Sequence, residues 1–224
     1  MQVKRAIWPL MLLLALVAAL ACQRIYSGAA VWSGGAAQGE KVRAKPFPAD
    51  APAVVKQVVE AAIEQTSYTT GYDPSYVKID YPNGDVPLET GVCTDVIIRA
   101  FRKGGVDLQK EVHEDMQSNF AAYPTQWGLT KTDANIDHRR VPNLMTYFER
   151  RGKSLPLTTK GEDYRPGDLV TWDLGNKAPH IGMVTNLWSE ETGQFLIVHN
   201  IGGGVRTEDV LFNWRVTGHY RYFK

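Results

Sequence analysis

Gly91-Val92-Cys93-Thr94-Asp95-Val96-Ile97-Ile98-Arg99-Ala100-Phe101-Arg102-Lys103-Gly104 is the stretch on which the reading of this chain turns. Counted from Cys93, the residues Val96, Ile97, Ala100 and Phe101 fall at i+3, i+4, i+7 and i+8, the buried stripe of an amphipathic helix. Gly104 and Gly105 supply the stop. Cys93 therefore heads the helix on the face turned inward. There the partial positive charge of the helix N-terminus favours the thiolate over the thiol. A buried cysteine is commonly no more than a small hydrophobe, so its neighbours in the chain must decide.

Two strand-like segments far downstream bring histidines, His180-Ile181-Gly182-Met183-Val184 and Leu196-Ile197-Val198-His199-Asn200. A cysteine at a helix start with histidines supplied by later strands suits nucleophilic catalysis, with His180 as general base and then acid. The Cys93 main-chain N–H would stabilise the oxyanion. A hydrogen bond between Cys93 Sγ and a His180 ring nitrogen is expected, at about 3 to 4 Å. A third group must orient the imidazole. Neighbours on a strand point to opposite sides, so His199 or Asn200 can serve, but not both. Both faces of that strand are apolar, which leaves the choice open. If His199 serves, it should lie on the Cys93 side of the sheet and Asn200 on the other.

Cys93, His180 and His199 are also legitimate zinc ligands. The sequence has no short-spaced ligand pair, and no metal or cofactor is expected. Asp137-His138-Arg139-Arg140 has two readings: a site for a substrate carboxylate, held by an arginine fork, or a capped helix start with a basic turn. Asp95, Arg139 and Arg140 are the candidate substrate-binding residues. Trp127, Trp172 and Trp188 could line a groove or belong to the core.

The order of elements gives the fold class. Val54, Val55, Val58, Val59, Ala62 and Ile63 mark a helix, and further helices are expected over Glu111–Ala122 and Val141–Arg151. From Gly167 the period changes to strands: Asp168–Trp172, His180–Leu187, Phe195–Asn200, Val205–Val210 and Gly218–Tyr222. Helices followed by an antiparallel sheet make an α+β domain. Gly202-Gly203-Gly204 stands between two strands, so it is a turn and not a phosphate loop.

Three blocks resemble the NlpC-type cell-wall peptidases, a papain-like superfamily. They are Cys93-Thr94-Asp95 with Gly104-Gly105-Val106-Asp107-Leu108; Arg165-Pro166-Gly167-Asp168-Leu169-Val170 with His180-Ile181-Gly182-Met183-Val184; and Val198-His199-Asn200. Thr94-Asp95 stands where those peptidases carry Ser-Gly. The region from Ala51 to Lys224 is still more similar to the YijF-like proteins, the family called domain of unknown function 1287. Ile136-Asp137-His138-Arg139-Arg140-Val141-Pro142-Asn143 and Gly218-His219-Tyr220-Arg221-Tyr222 carry that match. The resemblance implies a papain-like fold, His199 as the third residue, and cleavage of amide bonds in peptidoglycan stem peptides. Two alternatives go with it: a non-catalytic binding module of the same fold, and an acyltransferase or transpeptidase using the same thioester.

The chain has 224 residues, enough for one domain and an N-terminal extension. Of its 25 basic and 24 acidic residues, six and two fall in the first fifty, so the remainder carries about −3. With no basic run, nucleic acid is not expected as a partner. Lys4-Arg5 and the apolar run from Ala6 to Cys22 read as a signal peptide, a lipoprotein signal with lipidation at Cys22, or an anchor, over residues 1–26. Each puts the domain in the periplasm or cell envelope, with membrane contact only through that segment. A Gly-, Ala- and Pro-rich linker is expected over residues 27–50, before a domain at 51–224. In an oxidising compartment a lone thiol is exposed to side reactions, which favours a functional reason for Cys93.

Overall fold

Val55, Val58, Val59 and Ala62 repeat at the helical period and form the buried face of α1, Ala53–Glu64. The computed structural model describes residues 42–175 and 177–224. The N-terminal stretch expected to be an export signal or anchor, including Cys22, lies outside the described residues. α1 packs along α2, Cys93–Lys103, and both lie against the sheet. α2 buries Val96, Ile97, Ala100 and Phe101 as its period requires, but also Thr94, Asp95, Ile98 and Arg99. It is thus a central helix, closed on nearly every side, because the charges on its outer face are satisfied internally. Its end is a Schellman turn: Gly105 has φ +80°, Gly105 N–H donates to Arg102 O and Val106 N–H to Phe101 O.

α3, Leu108–Asn119, starts three residues before the expected Glu111, because Asp107 caps it by accepting the Gln109 N–H at 3.2 Å. The remainder of that expectation, Phe120–Ala122, is a 3₁₀ turn. α4, Val141–Arg150, has Pro142 in its first turn. Beyond it come β2 (Leu169–Asp173), β3 (Pro179–Ser189), β4 (Gln194–Asn200), β5 (Val205–Glu208) and β6 (Arg215–Tyr220). They lie in the order β5-β4-β3-β2-β6, all pairs antiparallel.

A further strand, β1 (Val42–Ala44), pairs with the far end of β3, Val42 opposite Ser189 and Ala44 opposite Leu187. Residues 42–50 were expected in the linker; they belong to the folded unit, and Phe47 packs on the core. Three residues are too few for a periodic signal, and their strand exists only through the pairing with β3.

The sheet is buried on both faces. Leu169, Ile181, Met183, Val198 and Tyr220 face the helices and share a core with Cys93. Val170, Trp172, Val184, Phe195 and Ile197 face Tyr164 and Leu211 in a second core. The fold is α+β, helices packed on an antiparallel sheet. On β3, Gly182 permits close approach to β4: a Cβ there would lie 2.5 Å from Ile197 Cγ2 and 3.2 Å from His199 Cβ. Gly182→Ala should destabilise the protein by about 1–3 kcal/mol through overpacking. A drop in the urea midpoint at unchanged slope would be the readout.

Candidate active site

The start of α2 is held by charge. The Asp95 carboxylate accepts the Val92 N–H at 2.7 Å, closing the first turn. Arg139 grips the same carboxylate, Nε to Oδ1 and Nη2 to Oδ2 each at 3.0 Å, and both side chains are almost fully buried. The Arg139 guanidinium also donates to Ser75 O at 3.1 Å and Asp73 O at 3.3 Å. Thr94 Oγ1 donates to Arg139 O at 3.2 Å. Thr94-Asp95, the departure from Ser-Gly, is therefore the dock for the 137–140 turn. Asp95 and the Arg139 fork are engaged with each other, so they do not present the substrate-carboxylate site expected of them. Arg140 does line the pocket over Cys93.

Arg99, one face round the helix, fixes the preceding loop. It donates to Asp85 at 2.9 Å, to Val86 O at 3.2 Å and to Pro87 O and Thr90 O at 3.1 Å. Asn200 Nδ2 donates to Gly71 O at 3.0 Å and Gly91 O at 3.1 Å. Asn200 thus anchors main chain two residues before the cysteine.

Cys93 is 6 % exposed and opens into a pocket of about 180 Å³, whose walls include Tyr72, Pro74, Ile136, Arg140 and Pro179. Burial pushes the thiol up to about 12, and the Asp95 charge adds to this. Main-chain hydrogen bonds from Ile181, Thr94 and Cys93 itself act the other way and are outweighed. The expected thiolate at the helix terminus is thus a neutral thiol: losing water costs the charge more than the helix end returns.

The histidines meet each other. His180 Nε2 and His199 Nδ1 are 2.7 Å apart, and His199 Nε2 lies 2.9 Å from Glu208 Oε2. His180 also packs against Trp172 and Trp214, with ring centroids 5.8 and 6.3 Å away. Burial lowers His180 to about 3, with His199 contributing; burial also lowers His199, against the pull of Glu208. Glu208 was missed from the sequence. Its signal was there: a β4–turn–β5 hairpin sets it two residues from Arg206, the cross-strand partner of His199.

The register puts the parts on different faces. Trp172 pairs with His180, Val170 with Gly182 and Leu169 with Met183, so His180 and Gly182 look toward the second core. His199 joins them there, its Cβ beside Gly182. Cys93 packs with Ile181, Met183 and Val198, the alternate residues of the same strands. Asn200, bonded to Gly91 O, is on the Cys93 side. The expected sides of His199 and Asn200 are therefore exchanged. Among the described residues no hydrogen bond joins Cys93 Sγ to either ring; His180 Nε2 is engaged with His199 instead. No cluster of three His, Cys, Asp or Glu fit for a metal occurs among the described residues.

The other motifs are structural. Asp168 accepts the Arg165 N–H at 2.8 Å, contacts His219 Nε2 at 2.7 Å and takes a two-point grip from Arg221 at 2.7 Å. The Pro-Gly-Asp turn and the Gly-His-Tyr-Arg strand are thus one buried ionic joint. In the 137–140 turn, Asp137 binds His113 Nδ1 at 2.8 Å and His138 is buried. Trp172 is core; Trp188 is half-buried beneath Lys45 Nζ, 3.0 Å from its ring centre. The side chain of Trp127 lies outside the described part.

Arg139→Ala should cost about 3–5 kcal/mol by leaving Asp95 buried without its partner, read as a lowered midpoint in chemical denaturation. A pH series offers a second check. Burial pulls both His180 and His138 from the ordinary 6.5 to about 3, His138 with help from Arg102 and Arg139. As pH falls below 6.5, the unfolded chain binds protons that the folded one refuses, so stability is kept above 6.5 and lost between 6.5 and about 3. Unfolding free energies at pH 7.5 and 5.5 should show this loss, and His138→Gln or His180→Gln should make it smaller.

Comparison with known proteins gives the chain its relatives. A model of a domain of unknown function, DUF1287, matches residues 59–222. The uncharacterized protein YijF of Escherichia coli K12 is 52% identical over 183 residues, 79% of this chain and 89% of YijF. Among solved structures, NlpC2 from Trichomonas vaginalis aligns at 14% identity and a TM-score of 0.40, covering 78% of this chain but only 48% of that one. An N-acetylmuramoyl-L-alanine amidase from Bacteroides uniformis aligns at 11% identity and a TM-score of 0.44, over 77% of this chain and all of that one. With most of its folded part matched and half of the aligned residues identical to those of YijF, the chain belongs to the DUF1287 family.

Proposed function

We propose that this protein is a cell-envelope cysteine hydrolase of the papain-like, NlpC type that cleaves amide bonds, with peptidoglycan stem peptides as its substrate. The observation that carries the reading is a nucleophile at the first turn of a buried helix, opening into a pocket. A His180–His199–Glu208 chain begins on β3, the strand whose Ile181 shares a core with Cys93. The resemblance of the three sequence blocks to cell-wall peptidases, together with the export signal read at residues 1–26, supplies the substrate and the compartment.

The catalytic cycle starts from two neutral groups. His180 turns out of its packing against Trp172 and Trp214 and takes the Sγ proton. The thiolate attacks the amide carbonyl, and the Cys93 main-chain N–H holds the oxyanion. His180 then gives its proton to the departing amine, leaving a thioester, and water hydrolyses the thioester to regenerate the thiol. His199 positions His180, and Glu208 positions His199 and stabilises the imidazolium through it. An amine in place of water would make the same intermediate a transpeptidase step.

Incubation of the protein with muropeptides, followed by mass spectrometry, should release a new fragment from a stem peptide or crosslink. Cys93→Ala and His180→Ala should abolish it, and His199→Ala should leave a partial rate in a folded protein. Asn200→Ala should act mainly through stability. The second reading, a binding module of the same fold, is favoured by the lack of a Cys93–histidine bond among the described residues. It predicts no fragment and ligand binding that survives Cys93→Ala. Selective alkylation of Cys93 at neutral pH, enhanced by bound substrate, would argue for the hydrolase.

A further inference from the structure

Tyr72, Tyr76 and Tyr81 leave large parts of their rings in solvent, 41, 59 and 42 %. They stand on a segment with no helix or strand that is nevertheless held along its length. Arg139 donates to Asp73 O and Ser75 O, Ile79 N–H donates to Asn135 Oδ1 at 2.9 Å, and Gln109 Nε2 donates to Asp80 O at 2.8 Å. The ring of Tyr76, the most exposed of the three, is fixed by its hydroxyl, which donates to Asp133 Oδ2 at 3.0 Å and accepts from Asn135 Nδ2 at 2.9 Å. Tyr81 rests edge-on against His113, with ring centroids 5.1 Å apart. The faces of Tyr76 and Tyr81 are thus presented to solvent with their motion already restricted, so a ligand that stacks on them has less ordering entropy to overcome.

We propose that the tyrosine row is a docking track for a glycan, a chain of β-linked N-acetylhexosamines. The pyranose C–H faces stack on the flat rings, and the hydroxyl and acetamido groups meet the exposed carboxylates beside them, Asp73 and Glu114. Two features favour a glycan over a peptide. The tyrosines have exposed carboxylates beside them, Asp73 and Glu114, which suit a neutral polyol rich in donors. The track is also continuous with the Cys93 pocket, because Tyr72 and Pro74 line that pocket. At most about 14 Å of extended chain separates Tyr72 from Tyr76, so saccharide units could be engaged one after another. The proposal rests on the peptidoglycan reading for its partner: a stem peptide at Cys93 is attached to such a glycan, and the track would hold the strand while the peptide enters.

The test is titration calorimetry of the full chain with tetra-N-acetylchitotetraose, with peptide-free glycan strands and with free stem peptide. Saturable binding of the first two is expected, weakened roughly tenfold (about 1.4 kcal/mol) by Tyr76→Ala and by Tyr81→Ala. Tyr76→Phe, which keeps the ring, should retain most of the binding. Thermal melts of each variant separate loss of the track from loss of the fold. Absence of glycan binding by the wild type, or equal binding by a folded Tyr76→Ala variant, would overturn the proposal. So would displacement of glycan from the track by free stem peptide. The binding needs no turnover, so the two readings fail separately. A chain that cleaves stem peptides without binding glycan refutes the track alone. One that binds glycan but cleaves nothing refutes the hydrolase alone.

Discussion

The buried ion pair between Asp95 and Arg139 is the constraint on which the site depends. Asp95 closes the first turn of α2 through the Val92 N–H and so sets where Cys93 stands. Arg139 neutralises that carboxylate and reaches the main chain at Asp73 and Ser75. One guanidinium therefore joins the Cys93 helix, the tyrosine-bearing segment and the turn ahead of α4. A pair this deep gains little net stability over a hydrophobic substitute, since both charges have left water. What it brings is geometry: three segments distant in the chain are fixed to one another at the rim of the pocket.

The sheet imposes the second constraint. Because side chains alternate, the regular β2–β3 register decides that His180 and Ile181 cannot share a face. The strand thus turns Ile181 toward the core that holds Cys93 and keeps the imidazole on the other side. His199 and Asn200 divide in the same way: the histidine continues a polar chain to Glu208, and the asparagine secures Gly91 beside the helix start. Two adjacent residues that sequence reasoning treated as rivals for one role hold two different parts of the site.

Much of this was legible in the sequence. The period of α2, the glycine stop, the strand segments after Gly167 and the placing of Cys93 at a helix start and of His180 and His199 on strands all rest on local pattern, and local pattern survives folding. The face of His199 was not legible. Phe195 and Ile197 alternate with Leu196 and Val198, a strand apolar on both sides, and the second core under Trp172 that explains it is built from distant segments. The roles of Arg139 and of β1 were hidden for the same reason. An arginine in a basic turn looks solvated until its carboxylate is found 44 residues away. A three-residue strand has no period to read.

The protonation states tie these parts together. A buried thiol and a buried imidazole are least costly when both are neutral, which is how burial sets Cys93 and His180. Transfer of the proton creates two charges, and these are tolerable in a dry site only when the ions lie in contact. While Sγ and the imidazole face opposite sides of β3, the charged pair has no attraction to offset its loss of water, and the neutral pair persists. Contact changes the balance, because attraction between adjacent ions rises steeply as they approach in a medium of low dielectric constant. Glu208 then matters twice: it holds His199 in line, and its charge opposes the burial that keeps the histidines neutral. On the proposed mechanism, nucleophile activation and ring movement are therefore one event, and a pocket occupant that favours contact between Sγ and the imidazole also favours the thiolate.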